Sequence, residues 1–364
     1  MEFAFSPDQE DLRASVRSFL AHETPMAVVR AHLETDTDAP ESVWQAMVAL
    51  GWPGLLVPEQ FGGLGLGPVD LVAVCEELGR ALYGGPFLAS AVLATTAAER
   101  LGLHDELRSL AAGDATATVA IEEAGYGDPV ERIRVRASGR GERYRLDGTK
   151  TLVIDGHRAD WMLVAARTRE GLQTFLVDTT DAVFTPTLDL TRKFASVTFD
   201  DTPARLVGPP GDQRAIWHDI VDLGALALAA ELVGMSEAAN ALALDYAQSR
   251  EAFGKPVSKF QVTRHKAVDL LREVELSRVG VHYAAWALEI GAPDARAAVA
   301  MAKAHAGEAA NHCGAECIQI HGGMGYTWEC DAHLYLRRAK VNDLLFGHQA
   351  WQRERVADAY FAGL

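Results

Sequence analysis

Cysteine is scarce. Cys75, Cys313, Cys317 and Cys330 are too few and too unevenly spaced for a disulfide framework. Cys313 and Cys317 stand one helical turn apart with His312 and His321 nearby, but no run of coordinating spacings accompanies them. Packing between helices is therefore their expected role, and no metal is expected. Long apolar runs are missing too: no stretch approaches about 18 uninterrupted apolar residues, so no membrane span is expected. The opening MEFAFSPDQEDLRASVRSF lacks the basic-then-apolar order of a secretory signal, and a cytoplasmic location is expected. Basic charge is in deficit. At a formal net charge of -16, a polyanion approaches against the overall field, which argues against nucleic acid or an anionic membrane surface as partner. Local basic patches can still bind phosphates. Repeats and low-complexity tracts are absent.

What remains is ample for a large core and more than one domain: 364 residues, of which 49% are hydrophobic. From Pro7 to about Ala112 apolar residues return every three or four positions through DLRASVRSFLAHE and ESVWQAMVALGW, with Ser6 placed as an N-cap. The Pro- and Gly-rich run LLVPEQFGGLGLGP, residues 55–68, interrupts this pattern as an ordered loop, and the next helix is expected near Val69. Between Thr116 and about Ala204 short β-type runs take over, punctuated by turn residues at Asp147-Gly148, Asp155-Gly156 and Glu170-Gly171. After Pro209-Pro210-Gly211 the pattern is helical again, over 214–249, 259–290, 294–320 and 330–363. The expected fold is α+β. It comprises an N-terminal all-α domain (1–115), a middle antiparallel β-barrel domain (116–208) and a C-terminal four-helix bundle (209–364). Alanine-rich LGALALAAELVG implies close helix packing, and long helices with two apolar faces point to one side buried against another subunit.

Three blocks stand out in this order: WQAMVALGWPGLLVPEQFGGLGLGPVDLVAVCEELGR, YAQSREAFGKPVSKFQ and IQIHGGMGYTWECDAHLYLRRAK. They closely resemble the acyl-CoA dehydrogenase family, and the likeness runs over essentially the whole chain. The resemblance implies an FAD enzyme that removes two hydrogens across the α and β carbons of an acyl-CoA thioester. A carboxylate takes the α proton, the flavin accepts the β hydrogen as hydride, and electrons leave through an electron-transferring flavoprotein. It also implies dimers or tetramers in which each FAD lies between two subunits.

The nucleotide end of such a site needs a guanidinium for phosphate, an apolar wall and glycines that admit close backbone approach. The resemblance assigns these roles to Arg250, Phe253, Gln261, Gln319, Gly322 and Gly323. The ring end departs from the family pattern. EEAGYGDP (122–129) and LVIDG (152–156) put Glu122, Leu152 and Ile154 where the family has a hydroxyl donor, a tryptophan and a hydroxyl, and Asp128 where it has a serine. A carboxylate at Glu122 adds repulsion where the reduced flavin anion develops, so the ring is expected to be held poorly.

The base is missing as well. The two family positions for a glutamate correspond to Phe346 in LLFGHQ and Gly224 on the first bundle helix, neither of which accepts a proton. Loss of a positioned base costs on the order of 10²- to 10⁴-fold in rate. Glu231, about 10 Å further along the helix from Gly224, and Asp343, one turn before Phe346, are the remaining acidic candidates. Burial of Glu231 amid LALAAELVG demands a partner, expected within the bundle or across a subunit interface.

Three readings follow from these residues. The chain is the non-catalytic subunit of a heteromer, paired with a related acyl-CoA dehydrogenase chain as in actinobacterial enzymes acting on bulky CoA thioesters such as steroid side chains; or it is a homo-oligomer with a relocated base; or it is a flavin-free acyl-CoA binding protein.

Overall fold

The computed structural model describes residues 5–141, 143–178 and 182–363; the first four residues of the opening segment, Glu142, 179–181 and Leu364 lie outside it. The N-terminal helices are α1 (Pro7–Glu23), α2 (Met26–Ala31), α3 (Glu41–Ala49), α4 (Pro68–Arg80), α5 (Thr95–Leu101) and α6 (His104–Ala112). Ser6 caps α1 as expected. Its hydroxyl accepts from the Gln9 amide while Gln9 reaches back to the Ser6 amide, closing a capping box ahead of Pro7. The 55–68 run is an ordered loop: the amides of Leu64, Gly65 and Leu66 donate to the carbonyls of Gly54, Val57 and Leu55. A π-helical turn, Phe87–Ala94, precedes α5 and was not foreseen.

The strands are β1 (Ala117–Ala120), β2 (Arg136–Arg140), β3 (Arg143–Ile154), β4 (Trp161–Thr168), β5 (Gly171–Asp178), β6 (Val183–Phe184) and β7 (Phe194–Val207). Antiparallel pairings β2–β3, β3–β7, β7–β5 and β5–β4 run round a ring that closes through one parallel contact, Arg136 opposite Arg167. β1 adds to β4 in parallel, so the barrel is not purely antiparallel. Asp147-Gly148 is a further correction: the dipeptide lies inside β3 at a register shift against β7, so it bends a strand rather than ending one. Glu170-Gly171, by contrast, does turn the chain between β4 and β5. Val135, Leu146, Phe175 and Phe199 help fill the interior.

The C-terminal helices are α7 (Arg214–Ser249), α8 (Gln261–Glu289), α9 (Ala295–His321), α10 (Ala332–Leu344) and α11 (Gln349–Ala362), with a small hairpin of β8 (Glu251–Ala252) and β9 (Lys255–Pro256) between α7 and α8. The fourth expected segment is thus two helices, broken where Phe346 (φ 53°) and Gly347 (φ 95°) leave helical space. α4 and α7 touch backbone to backbone. A Cβ on Gly234 would lie 1.7 Å from the Glu76 carbonyl oxygen, and one on Gly79 would lie 2.1 Å from that of Glu231.

Glu231 sits at this crossing, 1% exposed. Its nearest charge partner comes from outside the bundle, while the bundle itself supplies Arg338 of α10, whose Nη1 lies 3.8 Å from Glu231 Oε2. Arg192, in the segment leading into β7, donates Nη2 to both carboxylate oxygens at 2.7 and 2.8 Å, and Asn342 of α10 adds Nδ2 at 3.0 Å. Burial works against the Arg192 charge, but Glu231 and Asp189 together raise its pKa. Arg338 of α10 lies beside the pair, held by Asp189 and by Thr191 Oγ1. The cluster therefore joins the barrel, α7 and α10.

Removing one partner strands a buried charge. Glu231→Ala or Arg192→Ala is expected to cost about 3–5 kcal/mol; urea denaturation that finds a loss below about 1 kcal/mol contradicts this role.

Candidate functional site

The two positions at which a glutamate base was sought meet in space. Gly224 on α7 and Phe346 in the α10–α11 loop face each other, and a Cβ on Gly224 would lie 3.0 Å from Phe346 Cδ2 and Cε2 and 3.0 Å from Leu93 Cδ2. Phe346 is 2% exposed, so an aromatic ring fills the place where a carboxylate was sought. Its backbone is tied as well: Gln352 Nε2 donates to the Phe346 carbonyl at 2.9 Å, and the Phe346 amide donates to Glu122 Oε1 at 3.4 Å.

Glu122 belongs to the loop 122–132, which folds against this point. Its carboxylate pairs with Arg132, whose Nη1 also donates to the Gly125 carbonyl at 2.9 Å. The charge expected to repel a reduced flavin is therefore neutralised within the loop, a contact that sequence reasoning missed. Asp128 caps the amides of Val130 and Glu131 and reaches His218 Nε2 at 3.1 Å. Burial tends to raise its pKa, but His218 and the two amides outweigh that and hold it below the usual carboxylate value. The Gly127 amide donates to His348 Nε2 at 3.4 Å, and the Tyr126 ring meets His348 edge-on at 5.8 Å. Ile154 is buried and Leu152 half-buried at φ 51°; neither side chain has a polar group to offer a ring.

Of the two remaining carboxylates, Glu231 has both oxygens engaged by Arg192 and Asn342. Asp343 is half-buried and turned toward α9: its Oδ2 accepts from Asn311 Nδ2 at 3.3 Å, and its Oδ1 lies against Gly307. Fully buried Lys303 donates to the Asp343 carbonyl at 3.1 Å.

The six residues expected at the nucleotide end lie apart from this pocket, and all six are exposed. Arg250 ends α7. The turn of the β8–β9 hairpin has positive φ at both residues, Phe253 (52°) and Gly254 (76°), which suits a two-residue I′ connection and leaves the Phe253 ring 96% exposed. A non-glycine residue in that conformation costs on the order of 1 kcal/mol. Gln261 opens α8, while Gln319, Gly322 and Gly323 end α9. Tyr246 of α7 stacks on His321 of α9 at 4.4 Å, which sets the Arg250 end of one helix beside the Gly322-Gly323 turn of the other. An exposed guanidinium, an exposed ring and two glycines with open space where a side chain would stand fit a dinucleotide's phosphates and adenosine. The closed loops around Phe346 do not fit its isoalloxazine. Among the described residues no cluster of His, Cys, Asp or Glu is suited to a metal, and no helix is long and apolar enough to cross a membrane.

A helical N-terminal layer, a closed barrel and a C-terminal helical bundle are the architecture of acyl-CoA dehydrogenases. Family models agree: the acyl-CoA dehydrogenase N-terminal domain matches residues 6–108 and the C-terminal domain residues 216–361. The chain belongs to the acyl-CoA dehydrogenase family, whose members are FAD-dependent oxidoreductases. It is 30% identical to acyl-CoA dehydrogenase IpdE2 of Mycolicibacterium smegmatis over 98% of this chain and 100% of that one. With IpdE2 of Mycobacterium tuberculosis it is 33% identical over 91% of each. Solved structures with the same fold include the ChsE4-ChsE5 complex of Mycobacterium tuberculosis (TM-score 0.88, 29% identity, 99% of each chain) and the Tcur3481-Tcur3483 steroid acyl-CoA dehydrogenase G363A variant (TM-score 0.89, 29% identity, 98% of each chain).

Burial, opposed by Asp343, lowers the Lys303 pKa to about 8 from an unfolded value near 10.5. The folded state thus releases this proton first, and stability rises with pH between those values; below about 8 the full penalty for burying the ammonium is present. Lys150, lowered to about 8 chiefly by burial despite Glu123, contributes in the same direction. Lys303→Met is expected to raise stability at pH 7 and flatten part of the rise between pH 8 and 10, read as urea midpoints across that range.

Proposed function

We propose that this chain is the base-lacking subunit of a heteromeric acyl-CoA dehydrogenase. It lends Arg250, Phe253, Gln261, Gln319, Gly322 and Gly323 to an FAD whose ring, and whose catalytic glutamate, belong to a related chain. The contact of Phe346 with Gly224 carries this reading: the place for a base is occupied by hydrocarbon, while the nucleotide-end residues stand exposed. Bound FAD supplies the hydride acceptor. The residues of this chain bind and orient its phosphate and adenosine end.

The bundle surface supports such pairing. On α8, Val262, Val268, Leu271, Leu276 and Val279 are each more than half exposed, and Met324 and Tyr326 extend the apolar area beside the Gly322-Gly323 turn. Burial of that surface against a second bundle is favourable by about 25 cal/mol per Å² of apolar area. ChsE4-ChsE5 is a two-component complex of this fold, and Tcur3481-Tcur3483 is a two-component steroid acyl-CoA dehydrogenase. By that likeness the substrate of the assembled enzyme is a bulky CoA thioester, and its electrons pass to an electron-transferring flavoprotein. A relocated base has little geometric support, because Glu231 is spent on Arg192 and Asp343 faces α9.

The experiment is to purify the chain alone and together with the related chain, then count flavin and assay dehydrogenation. The lone chain is expected to be colourless and inactive, and the pair to hold half as many flavins as chains. Arg250→Ala should weaken FAD retention by the pair about tenfold or more, whereas Asp343→Asn should leave turnover within about twofold. Full flavin and turnover in the lone homo-oligomer overturns the proposal. A colourless pair that binds CoA esters by calorimetry replaces it with a flavin-free binding role.

A further inference from the structure

The barrel carries a feature opposite in sign to the rest of the chain. β2 and β4 pair at a single point, Arg136 opposite Arg167, and beyond it they part to leave an open groove of about 640 Å³. Four arginines line this groove: Arg134, Arg136, Arg167 and Arg169. The volume falls within the range of about 300–1,000 Å³ usual for small-molecule sites.

The acids around it do not balance this charge. Asp147 is the carboxylate in the lining, and its Oδ1 accepts from the Asp201 amide at 3.2 Å. Glu131, just outside, pairs with Arg214 at 3.0 Å. Among the described residues, none of the four arginines has an ion-pair partner. Arg167 is also braced: its Nε donates to the Ile133 carbonyl at 2.5 Å and its Nη2 to the Glu131 carbonyl at 2.8 Å, so one guanidinium is set in place before any ligand arrives. Arg134, Arg136 and Arg169 are exposed and free to converge on it. The Ser138 hydroxyl supplies a neutral donor in the same lining.

Four like charges round one groove repel one another, and in a chain of net charge -16 no general excess of base accounts for them. Guanidinium forks match phosphate oxygens in pairs, and several forks spread over a groove match several phosphates better than one small anion. We propose that this groove binds a ligand bearing two or more phosphate groups, of the nucleoside-diphosphate kind. Such a group is found both in a free nucleotide and in the nucleotide end of coenzyme A. The site is separate from the bundle face that the FAD assignment uses, and its existence does not depend on that assignment.

The full-length chain should be titrated by calorimetry at low and at moderate salt with ADP, with 3′-phospho-ADP and with coenzyme A. Saturable binding of one ligand per chain is expected, weakened as salt rises. Arg136→Ala/Arg169→Ala should weaken it by about tenfold or more, with the thermal midpoint unchanged because both residues are exposed. Arg108→Ala, on the surface of α6, should change nothing. Equal affinity for coenzyme A and 3′-phospho-ADP assigns the site to the nucleotide end of coenzyme A; tighter binding of ADP than of either assigns it to a free nucleotide. Absence of binding by all three at low salt, or binding that the double variant leaves unchanged, overturns the proposal.

Discussion

A carboxylate in the middle of an alanine- and leucine-rich helix must be matched or it unfolds its surroundings. Glu231 is matched from outside its own helix, by Arg192 on the way into β7 and by Asn342 on α10. Each contact sets a relation that close packing alone would leave loose. The first holds the barrel's last long strand against α7. The second holds α10, and with it the loop that carries Phe346, at the level where Phe346 meets Gly224 two turns earlier on α7. Because both oxygens are taken in these tasks, the same acid has none left for chemistry at a substrate carbon.

The two regions where a flavin's ends were expected obey opposite rules. At the bundle end, Phe253 is held out by a hairpin turn that an aromatic residue enters only at a cost, its ring meeting Phe260 edge-on at 6.3 Å, and Arg250 is exposed, in no ion pair among the described residues. At the barrel end, polar groups are consumed internally by Glu122 with Arg132, Asp128 with His218 and Gly127 with His348. An exposed, unsatisfied surface invites a partner. A satisfied one does not.

Much of this was legible one residue at a time. The Ser6 capping signal, the change from helical to strand periodicity near Thr116, the return of helices after Pro209-Pro210-Gly211 and the hydrocarbon at positions 224 and 346 are properties of short windows. The break of the last helix was less legible. Phe346 stands before Gly347, but a lone glycine in a helical pattern is compatible with continuation, and the positive φ of Phe346 is decided by the packing of its ring and by the hydrogen bond from Gln352.

The sequence by itself determined most of the helix and strand content, the family and the residues at positions 224 and 346, because periodicity, capping chemistry and residue identity act within a few positions of the chain. Tertiary structure alone decided that Asp147-Gly148 bends a strand, that Arg192 neutralises Glu231 from 39 positions away, and that Glu122 takes the Phe346 amide from 224 positions away. Those outcomes depend on strand register and helix crossing, and these are settled only when separate elements compete for the same buried space.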